Sequence, residues 1–223
     1  MKSGSETGLK TLLFVSVLGL FFSLLGCQNT RELSTGLKVM TVDEYENIID
    51  NNSDHKSMYD GLYNTLQLYA TLINPTVARA QLDQNARLFL WDKEKFETEA
   101  KKAEEDLAKE TKVFVSLYTP DRKHDDLNKS KTLWKFFLDV NGKRYEGKAT
   151  KLKLLVTEIQ GLYPYHTRFA TPYNLTFPVS AKFIEKENIR LVMTGPVGSV
   201  SADFGKLPPP QATTASPQPA TAP

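Results

Sequence analysis

"TLWKFFLDVNGKRYEGKA", residues 132–149, decides the class of fold. Trp134, Phe136, Leu138 and Val140 recur at every second position, which places them on one face of a β-strand. Asn141-Gly142 follows at once. Both residue types tolerate positive φ, so this pair is the strongest short signal for a tight hairpin. "KRYEGKA" then returns as the partner strand. Upstream, "TKVFVSLYT" (111–119) is β-branched and aromatic, and Pro120 stops it. Downstream, "KLKLLVTEI" (151–159) sets Leu152, Leu154 and Val156 on one face. "YNLTFPVSAKF" (173–183), "IRLVMTG" (189–195) and "GSVSADF" (198–204) read as further strands. Six or seven short strands with turn signals between them predict a β-sandwich over 111–205, immunoglobulin-like and without a disulfide.

The stretch before the strands has a helical period. Thr41 with Glu44 three places on forms a capping box, so a short helix is expected over 41–51. "NNSDH" (51–55) is a turn cluster. Met58, Leu62, Leu66, Tyr69 and Ile73 then recur at four- and three-residue steps, which predicts a second helix weakened by Gly61. Asn74 is a good N-cap and Pro75 fits a first helical turn. A long third helix is expected from Pro75 to about Glu110. Its stripe of Leu82, Ala86, Phe89, Phe96, Ala100, Ala103 and Leu107 resembles a narrow heptad seam. The fold class is thus α+β, with a helical segment at 41–110 before the sandwich. Residues 206–223 are rich in Pro, Ala and Thr, carry no charge after Lys206 and predict an extended tail.

The chain opens with Lys2 and Lys10 before an apolar run from Leu12 to Leu25, and polar residues follow directly. That run is short of the ~20 residues a spanning helix needs, and its layout is that of a secretory signal peptide. The only cysteine of the chain, Cys27, stands where the run ends. Leu24-Leu25-Gly26-Cys27 resembles the lipobox of bacterial lipoproteins: an apolar residue, a tolerant position, a small residue, then cysteine. The resemblance implies cleavage between Gly26 and Cys27, a thioether-linked diacylglycerol on Cys27 and a fatty acyl group, such as palmitate, on its new amino end. It covers residues 1–27 alone. In Gram-negative lipoproteins an aspartate after the cysteine often retains the protein at the inner membrane. Gln28 stands there, so the resemblance implies the outer membrane. Residues 27–40 then read as a lipidated tether.

Removing residues 1–26 from the 223 leaves 197, enough for one or two domains. The chain holds 28 Lys+Arg against 26 Asp+Glu, a balance that argues against a nucleic-acid partner. With 12 Phe and 9 Tyr it can build a core. After Cys27 no cysteine remains, so stability in an oxidising compartment rests on packing.

Motifs for catalysis are missing. His55, His124 and His166 are not spaced as metal ligands, and neither a nucleophile elbow nor a phosphate loop is present. No cofactor is implied. The carboxylates of Asp121, Asp125 and Asp126 share a loop with Arg122 and Lys123, which oppose a calcium ion. Trp91 and Trp134 read as core. Asn174-Leu175-Thr176 has the form of a glycosylation sequon, which the bacterial lipobox discounts. The densest candidate surface is "GLYPYHTRFATPY" (161–173): Tyr163, Tyr165, His166, Arg168, Phe169 and Tyr173. Aromatics and arginine on a proline-stiffened connection suit partner contacts, with rings plugging the sandwich as the plainer reading. The functional reading is an exported, membrane-anchored envelope protein that binds an envelope protein or a cell-wall component. The alternatives are an envelope hydrolase using His124 or His166, and a small-ligand carrier with a pocket between helices and sandwich.

Overall fold

The computed structural model describes residues 30–185 and 187–205, so the lipobox with Cys27, and the tail from Lys206, lie outside the described residues. The architecture is mixed α+β. Its strands form two antiparallel sheets, of five and four strands, besides a small hairpin. That hairpin, β1 (Thr30–Glu32) with β2 (Lys38–Met40), opens the described chain. It stands over 30–40, within the stretch 27–40 predicted as a lipidated tether; residues 27–29 lie outside the described residues. The reason is apolar: Leu33, Leu37 and Val39 pack with Ala86, Trp91 and Phe96.

Helix α1 (Val42–Asn51) begins with the predicted capping box. Thr41 Oγ1 accepts from Glu44 N–H at 3.3 Å, and Glu44 Oε2 accepts from Thr41 N–H at 3.0 Å. Tyr45 and Ile49 are its buried face.

Residues 53–73 are a β-hairpin, where sequence periodicity predicts a helix. β3 (Ser53–Asp60) and β4 (Tyr63–Ile73) pair around a turn in which Gly61 takes φ 59°. The physical reason lies in a second period. Leu66, Leu68, Ala70 and Leu72 alternate and are all buried in the main core. A helix would scatter these four around its axis, whereas the strand puts them on one face.

The long helix is two helices. α2 (Pro75–Phe89) starts as predicted, with Asn74 Oδ1 accepting from Val77 N–H at 2.9 Å and Pro75 in the first turn. It stops at Leu90, whose backbone is left-handed at φ 49°. Asp92 then caps α3 (Lys93–Lys109) by accepting from Lys95 N–H at 2.8 Å.

β5 (Thr111–Tyr118), β6 (Lys135–Val140) and β7 (Lys143–Glu146) follow as read, with Asn141 (φ 48°) and Gly142 (φ 78°) at the turn. β8 (Lys148–Lys151) ends early. The stretch predicted as strand 151–159 is a connection leading into helix α4 (Val156–Leu162), because Ile159 and Tyr163 at a four-residue step pack on Phe114. After β9 (Thr171–Phe177) a single helical turn, α5 (Ala181–Ile184), stands where extended chain is predicted. β10 (Ile189–Gly195) and β11 (Gly198–Phe204) close the described chain.

The five-stranded sheet has the order β3-β4-β5-β9-β8, and the four-stranded sheet β11-β10-β6-β7. Their inner faces share one core, from Leu68, Val115 and Leu175 on one side to Leu138, Leu191 and Ala202 on the other. The chain passes between sheets at Gly147. A Cβ there would overlap the ring of Phe177, so only glycine lets the backbone come this close. The outer face of the five-stranded sheet is covered by α1, α2 and α4. β3 and β4 therefore tie residues 41–110 into the same sheet as β5, and position 110/111 divides no helical unit from a strand unit.

At the open side, β3 meets β11. Asp54 Oδ2 accepts from Asp203 N–H at 2.9 Å, and Lys56 pairs with the same carboxylate at 2.9 Å. Burial alone would raise the pKa of Asp54, but these donors outweigh it and hold it below 3.8. A carboxyl depressed in the folded state stabilises above its unfolded value and loses that contribution as pH falls through the folded one. Asp54→Asn is thus expected to flatten the loss of stability below about pH 4, read as urea midpoints across an acid pH series.

Candidate functional site

A cleft of about 310 Å³ lies between α2, α3, the segment 152–163 and the outer face of the five-stranded sheet. Leu82 and Trp91 form one apolar wall, Leu107 a second, and Leu152, Ile159 and Leu162 a third. Their positions follow from the local folds already described: the turn of α2 at Leu90 swings Trp91 beside α3, and α4 lays Ile159 on Phe114.

The floor is polar. Lys112 on β5 and Asn174 on β9 face out of the sheet on the side that carries the helices. Lys112 Nζ binds Asp106 at 2.8 Å and Glu110 at 3.1 Å. Burial works against its charge, but the two carboxylates outweigh that and raise its pKa above the usual lysine value. The side-chain oxygen of Asn174 is buried and accepts no hydrogen bond from the protein. Tyr163 closes the inner end. Its ring stacks on Phe114 at 3.5 Å, and its hydroxyl accepts from Gln81 Nε2 at 2.8 Å. The cleft therefore offers apolar walls, an ammonium fixed between carboxylates, and Asn85, Glu99 and Lys102 along its lining. That set suits a small molecule with an apolar body and a polar group.

The aromatic segment is brought together, but mostly inward. Tyr163, His166 and Tyr173 are buried, and Tyr165 is half-buried with its hydroxyl bonded to Thr71 Oγ1. The rings of Tyr163 and Tyr165 lie on the outer face of the sheet and do not plug an end of it. Burial raises the pKa of both tyrosines well out of the physiological range. Of the six residues only Arg168 and Phe169 stand exposed, the guanidinium 4.8 Å from the ring centre.

The three histidines stand apart from the cleft. His166 Nδ1 lies 2.7 Å from Ser116 Oγ, both buried, and burial holds the imidazole below its usual pKa. Neither lines the cleft. His124 is 3.8 Å from Asp121 in the loop before β6. In that loop Asp125 is spent on Thr171 Oγ1 at 2.5 Å and Tyr173 OH at 2.9 Å, which pin the loop to β9. Among the described residues no cluster of His, Cys, Asp and Glu is arranged to hold a metal ion, and no helix is long and apolar enough to cross a membrane. Trp134 is buried as predicted, whereas Trp91 is only half-buried and lines the cleft.

Lys112, Gln81 and Asn174 escape sequence reading as a site. They come from a strand, a helix and a second strand, and no spacing links them. Asn174 was visible only as the first residue of a sequon. No family model, no curated protein and no solved structure matches this chain.

Proposed function

We propose that this chain is an exported bacterial lipoprotein, held on the envelope membrane through Cys27, that acts by binding a small amphipathic molecule in the cleft. The observation that carries the binding reading is the cleft itself, about 310 Å³ with Leu82, Trp91, Leu107, Leu152, Ile159 and Leu162 on its walls and the Lys112 ammonium at its floor. Apolar walls around a fixed charge are the usual make-up of a small-molecule site. The framework assumed is an immunoglobulin-like layering of two sheets, with helices added on one outer face. Lipidation rests on Leu24-Leu25-Gly26-Cys27 and the apolar run before it, and Gln28 favours the outer membrane of a Gram-negative cell. A protein or cell-wall partner would meet the exposed Arg168 and Phe169.

One preparation tests both parts. The protein is recovered from its own membranes and weighed, first denatured and then under native conditions. Acyl mass on Cys27, lost with membrane retention in Cys27→Ala, is the expected result for the anchor. For the cleft, a further non-covalent mass is expected that disappears in Ala103→Trp, which fills the opening from α3. No extra mass in the parent protein, or the same extra mass in both forms, would dismiss the ligand reading.

A further inference from the structure

An apolar tip stands at the end of α2. Leu88, Phe89 and Leu90 are 47, 58 and 60% exposed, three large side chains in a row. Leu90 holds the left-handed position that ends the helix, a place glycine or asparagine usually takes. A leucine there accepts a backbone conformation unfavourable for its type and gains no burial in the protein. Trp91 follows, an amphipathic ring of the kind enriched at a membrane–water boundary, before the mixed charges Asp92, Lys93 and Glu94.

The start of the chain says what covers this tip. Only Gln28 and Asn29 separate Cys27 from Thr30, so the acylated residue lies no more than about 11 Å from the folded body. Thr30 pairs with Met40, whose N–H donates to Asp83 Oδ2 on α2 at 3.2 Å. From Asp83 to Leu90 is seven residues, about 10 Å along a helix axis. The anchor and the tip are thus fixed to the same helix at comparable reach.

We infer that Leu88, Phe89 and Leu90 enter the headgroup and upper acyl region of the bilayer that holds Cys27, seating the body on the membrane in one orientation. This rests on the lipobox reading. The structure offers a rival apolar tip at the β3–β4 turn, where Leu62 is 97% exposed beside Tyr63. It lies eight strand residues, about 26 Å, from the end of the hairpin that adjoins α1 and α2. Because Trp91 lines the cleft, seating by the α2 tip also brings the cleft mouth to the bilayer surface.

The test uses the full lipidated chain in phosphatidylethanolamine–phosphatidylglycerol vesicles whose acyl chains carry bromine. Acylation occupies Cys27, so Phe89→Cys and Leu62→Cys each offer one thiol for an environment-sensitive dye. Both positions are exposed, and thermal melts confirm that the labelled forms are folded. Loss of emission at 89 with emission kept at 62 is the expected result. Emission kept at 89, or lost equally at both, overturns the seating while an acyl mass on Cys27 leaves the anchor standing. Absence of that mass overturns the anchor and the seating with it.

Discussion

Trp134→Ala is expected to destabilise the fold by about 3–5 kcal/mol, the range for removing a large aromatic side chain from a core. Trp134 is 2% exposed, and its indole lies flat on the backbone of Gly195, where a Cβ would collide with three ring atoms. The indole N–H donates to the carbonyl of His124 at 2.9 Å. The substitution therefore opens a cavity at the end of β10 and leaves that carbonyl without its partner. The loop 119–134 also loses one of its attachments, keeping those of Asp125 and the buried Leu127. Urea unfolding should show a lower midpoint at unchanged slope. Trp134→Phe separates the two contributions, since it keeps much of the ring volume and loses the donor.

Phe114→Ala should cost a similar ~3–5 kcal/mol and, unlike the first change, should act on the cleft. Phe114 is fully buried on the outer face of β5, stacked on Tyr163 and in contact with Ile159. Tyr163 and Ile159 both line the cleft. Losing the ring beneath them lets α4 settle toward the sheet, so the fraction of protein carrying the expected ligand mass should fall as stability falls. Phe169→Ala is the contrast. That ring is 55% exposed, and its loss should change stability by no more than about 0.5 kcal/mol. Equal effects at the two positions would contradict the inward packing of the aromatic segment.

Local chemistry was legible where one residue type has one use. The capping box at Thr41 and Glu44, the Asn74-Pro75 start and the Asn141-Gly142 turn all stand where read. The hairpin at 53–73 was not, because two periods overlap in it. Leu66 and Ile73 fit a helical step, and Leu66 to Leu72 fit an alternation. Tertiary structure decides between them, since helices cover the outer face of this sheet and bury Thr71 as well as Leu72. That burial of both faces blurs the alternation a half-exposed strand would show. The break between α2 and α3 was hidden for another reason. Leu90 holds a left-handed turn without glycine or proline to mark it, and Asp92, its one signal, sits inside a run of charges. The cleft draws on α2, α3, α4, β5 and β9, so it exists only once these are packed.

The crossing at Gly147 has a consequence for the order of events. β3, β4 and β5 precede it, yet their sheet is completed by β8 and β9, made after β6 and β7 have gone to the other sheet. β5 therefore keeps an unpaired edge until β9 is available, about 55 residues later in the chain, and β10 and β11 come later still. Pairings over such separations form slowly, because long loops must close before any contact rewards them. A chain emerging with Met1 first from a ribosome or a translocation pore would keep the β5 edge open until β9 had appeared, and that of β6 until β10 had. Its folding would then follow release, with the anchor end already at the membrane if Cys27 is acylated.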